Sequence, residues 1–387
     1  MKLLKRALSK EFMLSAKSYP IVTLTGPRQS GKTTFAKMNF PKKIYKNLEL
    51  PDIHQFAKTD PQGFLDEIKE GAILDEIQRI PELLSYLQVY VDSHTKKGQF
   101  ILTGSHQLAL HEGISQSLAG RTGILHLLPF SLNELQQDCG NFSLNEQLFN
   151  GGYPRIYKDK IEPHRFYRDY VQTYLERDVR QIINVKDLEQ FQRFLHLCAA
   201  RTGHLIDYTS IANDLGISRF AVKEWISVLK ASYLVFSLQP YFENFGKRII
   251  KSSKLYFTDV GLLCYLLGIR EHHQLTYHPL RGQLFENLII LELLKAQLNM
   301  GHEPHFYFYR DNHQNEIDVL LQQANELIAI EIKSAQTFHP SFLKTLRELK
   351  TMATRHKLRR FVVYTGTHQQ KIDDIYVLNY KNLADIF

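Results

Sequence analysis

Cysteine is scarce. The 387-residue chain has three, at positions 139, 198 and 264, scattered too widely for a disulfide framework or a zinc-ligand spacing. A reducing, cytoplasmic setting is the economical expectation. Long apolar runs are missing too: nothing approaches the roughly 20 residues that a helix needs to cross a bilayer. The nearest stretch, Gly261 to Ile269, reads as a buried helix. No apolar signal core stands at the N-terminus, because Lys5, Arg6, Lys10 and Glu11 interrupt it. Charge does not lean far to one side either. A net +8 permits contact with nucleic acid without demanding it. Seventeen histidines include His272-His273 and the pair His302/His305, none at a convincing metal-ligand spacing.

What is present is the composition of a globular protein, with 44% apolar and 23% charged residues. The length exceeds one ordinary core and implies two or three domains.

The most informative stretch is Gly26-Pro27-Arg28-Gln29-Ser30-Gly31-Lys32-Thr33, which reads G-x-x-x-x-G-K-[ST], the phosphate-binding P-loop pattern. Ile21-Val22-Thr23-Leu24 before it is a short β-branched strand, and Thr34-Phe35-Ala36-Lys37 behind it continues as a helix. Strand, glycine loop and helix N-terminus are what a phosphate cradle needs. Gly26 and Gly31 allow the tight turn that points successive N–H groups inward. Residues 26 to 34, including Thr34, are therefore the expected nucleotide-binding set. Lys32 would reach the β and γ phosphates, and the Thr33 hydroxyl would ligate Mg²⁺.

Residues 1 to about 18 read as a helix leading into this strand. Lys43 to Glu49 is a second candidate strand, and Asp52 to Glu70 is helical in pattern. Gly71-Ala72-Ile73-Leu74-Asp75-Glu76 is a short apolar strand ending in two acids. After a P-loop, Asp75 at the strand's end would hold Mg²⁺ and Glu76 would orient or deprotonate the attacking water. Gln99 to Ser105 is a further strand, whose C-terminal end faces the ligand crevice of a parallel sheet. Thr103 or Ser105 would then sense the γ-phosphate or position water, and the sequence does not choose between them. Arg121 precedes the apolar strand Ile124 to Leu128 and has two readings: an arginine finger for its own or a neighbouring subunit, or a surface arginine. Five strands alternating with helices imply an open, mostly parallel α/β sheet.

G-P-R-Q-S-G-K-T, A-I-L-D-E-I-Q, I-L-T-G-S and L-A-G-R together resemble the AAA-type ATPases of bacteria and archaea that carry a C-terminal domain of unestablished activity. That resemblance implies ATP and Mg²⁺ as ligands and hydrolysis as the reaction, with Lys32, Glu76 and Arg121 as catalytic residues. Phe149-Asn150-Gly151-Gly152-Tyr153-Pro154 is a turn cluster closing the first domain. Its G-G-Y-P, and Y-L-E-R-D-V in the amphipathic stretch Pro163 to Ile183, resemble the same family. Arg177 and Arg180 there read as lid arginines or as members of a salt-bridged helix face.

Asp207 to Ser218 reads as a short helix and glycine turn, with Ser218 capping a second helix from Arg219 to Lys230. Ala212, Leu215, Ile217, Val222, Ile226 and Leu229 have the spacing of a helix-turn-helix, and Tyr233 to Leu238 would supply a β wing. The second helix offers Arg219, Lys223 and Lys230 but also Glu224, a thin set for base readout.

Beyond about Lys247, Arg281 to Glu292 is an apolar helix bearing Glu286. Phe306 to Tyr309 is a strand, and Glu316 to Leu321 and Leu327 to Lys333 form a hairpin around Gln323-Ala324-Asn325. Strands at Phe361 to Tyr364 and Ile375 to Leu378 complete the sheet. Asp318 and Glu331 across the hairpin, with Lys333 two residues on, suit a Mg²⁺ site. The order of helix Glu286, strand Asp318 and Glu331-x-Lys333 resembles the PD-(D/E)xK nuclease fold, although Asn315-Glu316-Ile317 replaces the usual proline-containing approach. An exposed cross-strand salt bridge is the plainer reading of the same residues.

The expected architecture is α/β: a P-loop NTPase parallel sheet of AAA type over 1–150, a helical lid and winged helix over 151–245, and a small α/β nuclease-like domain over 246–387. ATP and Mg²⁺ are the expected ligands and no membrane is involved. DNA, a protein surface and a second copy of the chain stay open as partners.

Overall fold

The computed structural model describes residues 4–94, 96–105, 117–173, 188–241, 252–311, 315–323, 325–352 and 357–387. Arg177 and Arg180 lie outside these residues, as does Ala324.

The first unit begins with α1 (Ser9–Ser18), β1 (Ile21–Thr25), α2 (Lys32–Asn39) and β2 (Ile44–Asn47). Next come α3 (Pro51–Thr59), α4 (Pro61–Glu67), β3 (Ala72–Asp75), α5 (Leu83–Ser93), β4 (Phe100–Gly104) and β5 (Thr122–His126). The strands form one sheet in the order β2-β3-β4-β1-β5, every pairing parallel. Both faces are covered, which is why β1, β3 and β4 are wholly buried and mainly apolar, with Thr23, Thr25, Asp75 and Thr103 as their buried polar members. Alternation survives within them: Ile21, Leu74 and Leu102 enter one core, while Val22, Ile73 and Ile101 enter the core on the opposite face.

The single helix expected over Asp52 to Glu70 is two helices. Pro61 cannot donate the hydrogen bond that would carry α3 onward. Asp60 instead caps α4, accepting from the Gly63 N–H at 2.9 Å.

The middle of the chain is helical, with α6 (Leu132–Cys139), α7 (Leu144–Asn150), α8 (Pro154–Lys158), α9 (Pro163–Tyr170) and α10 (Leu188–Ala200). Then follow α11 (Tyr208–Leu215) and α12 (Arg219–Ala231), joined through Gly216 at φ +66°; Ser218 caps α12 as expected, and Asp207 caps α11. Trp225 of α12 sits edge-on against Phe191 and Phe194 of α10. The strand after α12, β6 (Val235–Pro240), differs from a plain wing. It pairs antiparallel with β7 (Lys254–Phe257), but its far end also pairs parallel with β8 (Phe306–Arg310). The boundary drawn at 245/246 therefore falls inside a hairpin.

The remaining elements are α13 (Val260–Leu266), α14 (Arg281–Asn299), β9 (Glu316–Gln323), β10 (Glu326–Lys333), α15 (Lys344–Met352), β11 (Lys357–Tyr364), β12 (Gln370–Ile372) and β13 (Ile375–Asn379). An eight-stranded sheet runs β12-β13-β11-β10-β9-β8-β6-β7. β9 and β10 form the expected hairpin, and one residue beyond the ladder pair Val319–Ile330 stand Asp318 and Glu331.

Candidate active site and a second carboxylate cluster

The loop leaves β1 through Gly26 at φ +148°, where a Cβ would stand 2.2 Å from the Leu127 carbonyl oxygen. Gly31, at φ +93°, is the N-cap of α2. These two positions exclude side chains for different reasons, one steric and one conformational. Lys32 is buried and its Nζ donates to the carbonyls of Gly26 at 3.0 Å and Pro27 at 2.9 Å. Burial lowers its pKa to about 8, against the opposing pull of Glu76 and Asp75. Arg6, a residue that sequence reasoning missed, braces the loop. Its guanidinium donates to the Ser30 carbonyl at 3.2 Å and is paired with Glu134 at 3.0 Å. A partner 128 residues away leaves no local signal.

Asp75 ends β3 and its carboxylate gathers hydroxyl donors. Thr33 Oγ1 donates to Oδ2 at 2.9 Å, Tyr45 Oη to the same oxygen at 2.7 Å, and Thr103 to Oδ1. Glu76 follows in the left-handed region, φ +58° and ψ +47°, a conformation that costs a non-glycine residue about 1–3 kcal/mol. Its Oε2 accepts from Ser105 Oγ at 3.1 Å and from Gln78 Nε2. The two residues left open in the sequence thus have separate partners, Thr103 on Asp75 and Ser105 on Glu76. Gln78 stands two residues past the acid in D-E-I-Q, a spacing that the sequence itself carries. Oxygen-only donors converge at Thr33 and Asp75, the chemistry that Mg²⁺ prefers, so this pair fits the ion.

Arg121 is elsewhere. Its carbonyl accepts from Ile21 N–H at the start of β1, whereas the loop leaves the other end of that strand. Five residues of strand separate them by about 15 Å. Its guanidinium is bidentate on Asp92, at 2.6 and 2.8 Å. The reading as a finger for its own subunit is thereby corrected: strand polarity puts it at the wrong edge.

Beside the loop lies a cavity of about 680 Å³, lined by Gly31, Thr34 and Met38 on one side and Pro154, Tyr157 and Ile161 on the other. Asp259, fully buried, holds the second wall by accepting from the Gly152 N–H at 2.7 Å and Tyr167 Oη at 2.6 Å.

In the C-terminal sheet, Glu286, Asp318, Glu331 and Lys333 do come together. Lys333 Nζ lies 2.5 Å from Glu331 Oε1, and Asp318 accepts from the Ile332 N–H at 2.7 Å. Burial, reinforced by the Asp318 charge, pushes Glu286 up to about 7 and Glu331 up to about 8. Three further residues join them. Lys254 Nζ sits 3.4 Å from Glu286 Oε1 and closer still to Glu316, and Tyr256 Oη donates to Glu286 at 2.5 Å. The signal for these was the period of two in β7, which puts Lys254 and Tyr256 on one face. The residues do not fit a divalent metal site. Ammonium groups hold the carboxylates, and among the described residues no three His, Cys, Asp or Glu side chains are grouped to hold an ion.

Comparison with known proteins matches three stretches of the chain. A family model described as an AAA domain matches residues 18–136. Two described as domains of unknown function, DUF8612 and DUF4143, match 141–273 and 281–383. The uncharacterized protein Rv2008c of Mycobacterium tuberculosis is 30% identical over 363 residues, covering 92% of this chain and 79% of that protein. This chain belongs to the Rv2008c family. Another relative, the uncharacterized protein MJ1637 of Methanocaldococcus jannaschii, is 25% identical over 385 residues, covering 85% of this chain and 79% of that protein. Among solved structures, the Walker-type ATPase PABY2304 of Pyrococcus abyssi aligns with TM-score 0.45 and 14% identity, over 68% of this chain and 96% of that one. RuvB of Thermotoga maritima aligns with TM-score 0.31 and 18% identity, over 60% and 89%. For this member of the Rv2008c family, the AAA-type P-loop domain rests on the matched segment and on the parallel sheet itself. No helix among its described residues is long and apolar enough to cross a membrane.

Proposed function

We propose that the chain is a Mg²⁺-dependent ATP hydrolase whose nucleotide state is passed to the helix pair and the C-terminal sheet. The observation that carries this reading is the convergence of Thr33, Asp75 and Glu76 at the mouth of the P-loop. Mg²⁺, when bound, would neutralise charge on the β and γ phosphates, with the Thr33 and Asp75 oxygens holding it. Lys32 exchanges the Gly26 and Pro27 carbonyls for phosphate oxygens. Glu76, its Oε2 held by Ser105 and Gln78, keeps Oε1 for the attacking water and takes its proton. The cavity between Thr34 and Tyr157 takes the nucleoside, so binding draws the helical segment against the loop.

Support for coupling comes from Tyr233, which joins α12 to β6. Its hydroxyl donates to Thr25 Oγ1 at 2.7 Å, and His126 Nδ1 lies within 3.0 Å of both. Thr25 is the residue immediately before the loop. The helix order, the bridge Leu205–Lys254 and the β6–β7 hairpin support the winged-helix reading. The outer face of α12 carries Arg219 and Lys223 but also Glu224 and a Phe220 that is 69% exposed. That mixture favours a protein surface over base readout as its contact. A second reading, a docking switch whose nuclease-like sheet does not cleave, is favoured by the ammonium groups seated on its carboxylates.

ATP turnover by the purified chain, with and without DNA, tests the first reading, and Lys32→Ala is expected to abolish nucleotide binding. Phosphates favour the charged form of Lys32, whose free-state pKa is about 8. ATP affinity should therefore be flat below about pH 8 and fall about tenfold per unit above it. An affinity that rises with pH across that window would sink the assignment of Lys32. Incubation with plasmid or single-stranded DNA and Mg²⁺ or Mn²⁺ separates the outputs: cleavage lost in Asp318→Ala favours the nuclease.

A further inference from the structure

We propose that the Lys254 ammonium is the resident cation of the C-terminal carboxylate cluster, seated among Glu286, Glu316 and Asp318 so that the cluster excludes Mg²⁺ and Mn²⁺. Its side chain is 4% exposed. A buried ammonium survives only when paired, since its desolvation costs several kcal/mol. The pairing is present: Glu286 and Glu316 accept from it, Tyr256 supports Glu286, and the face of Phe308 lies 5.4 Å away. Burial works against the charged form, and Glu286, Asp318 and Glu316 together outweigh it, holding its proton on.

Backbone placement keeps Lys254 there. It opens β7, a strand buried along its length, and is pinned on two sides by the pairings Leu238–Lys254 and Leu205–Lys254. A surface lysine could swing away, whereas this one has a fixed root inside the sheet. Lys333, a second ammonium of the cluster, takes Glu331 Oε1, while the buried Glu331 Oε2 has no hydrogen-bond partner. The cluster therefore holds four carboxyl groups and two ammonium groups. Burial raises the pKa of both Glu286 and Glu331, so partial protonation there meets part of the remaining charge. A divalent ion needs several oxygens at 2.0–2.6 Å, and the Glu286 and Glu316 oxygens that would supply them already accept from the ammonium. Glu286, which the nuclease resemblance assigns to the metal, is on these grounds a lysine partner.

The inference deepens the docking reading of the C-terminal unit, and ATP turnover has no bearing on it. Mn²⁺ binding to the full chain without nucleotide, followed by electron paramagnetic resonance and by thermal shift, tests it. The Asp318→Asn variant distinguishes this cluster from the P-loop. Wild type is expected to show no Asp318-dependent Mn²⁺ site. Lys254→Met should gain one, raising Mn²⁺ affinity at least about tenfold over any residual binding by the wild-type chain, and Lys254→Met/Asp318→Asn should lose it. Should Lys254→Met fail to fold, Lys254→Gln carries the same comparison. A wild-type site abolished by Asp318→Asn overturns the proposal, as does a folded Lys254 variant that gains none.

Discussion

Replacing Glu76 by glutamine is expected to leave ATP binding intact and to lower its turnover by about 10²–10⁴-fold, the usual size of a lost general base. The carboxamide has nearly the shape of the carboxylate, and its oxygen can still accept from Ser105 Oγ, now at 3.1 Å from Glu76 Oε2. What it cannot do is take a proton from water. The backbone at position 76 is left-handed in either case, so the substitution does not alter the strain. Lys32, Thr33 and Asp75 keep their partners, and ATP should be trapped instead of lost. Equilibrium binding of ATP beside single-turnover hydrolysis reads the two effects separately. Equal turnover in wild type and Glu76→Gln would remove Glu76 from the chemistry.

The largest stability effect is expected at Asp259. Its carboxylate accepts from the Gly152 N–H at 2.7 Å, Tyr167 Oη at 2.6 Å and the Leu262 N–H at 2.9 Å, where it caps α13. Burial raises its pKa, and these hydrogen bonds work in the opposite sense. Asp259→Ala strips partners from buried donors and should cost about 3–5 kcal/mol, the range seen when one member of a buried charged network is deleted. Denaturant unfolding should show a lower midpoint with little change in slope. Asp259→Asn, which keeps an acceptor, should lose less. A loss below about 1 kcal/mol for the alanine variant would show that the turn at Gly151-Gly152 holds without it. Because that turn carries Pro154 to within 3.7 Å of a Cβ built on Gly31, the same variant should weaken ATP binding at temperatures where it remains folded.

Much of this was readable because local chemistry and fold agree. Short, mainly apolar strands such as Ile21 to Leu24 and Ala72 to Leu74, alternating with helices, implied a parallel sheet before any pairing was known. Caps did the same for α11 and α12, where Asp207, Gly216 and Ser218 each satisfy a helix end. Pro61 carried its own warning, and the helical pattern over Asp52 to Glu70 masked it. Other features have no local trace. Arg121 borders an apolar strand as a phosphate ligand might, but only the direction of β5 decides which edge it occupies. Arg6 with Glu134, and Lys254 with Glu316, are meetings of distant segments. Thr103 lies in β4 and Ser105 one residue past its end, so strand alternation does not assign the pair, and their different partners depend on where β3 ends.

Strand β6 follows the helix pair but finds both its neighbours beyond residue 245, β7 on one side and, through Gln239–Tyr307 and Pro240–Phe308, β8 on the other. Dividing the chain at 245/246 would strip β7 of its partner and bare the edge of β8. Open strand edges recruit one another, so the C-terminal piece alone would tend toward aggregation. The two modules are thus bound to a common fate: each is the other's protection against misassembly, and neither is a portable part.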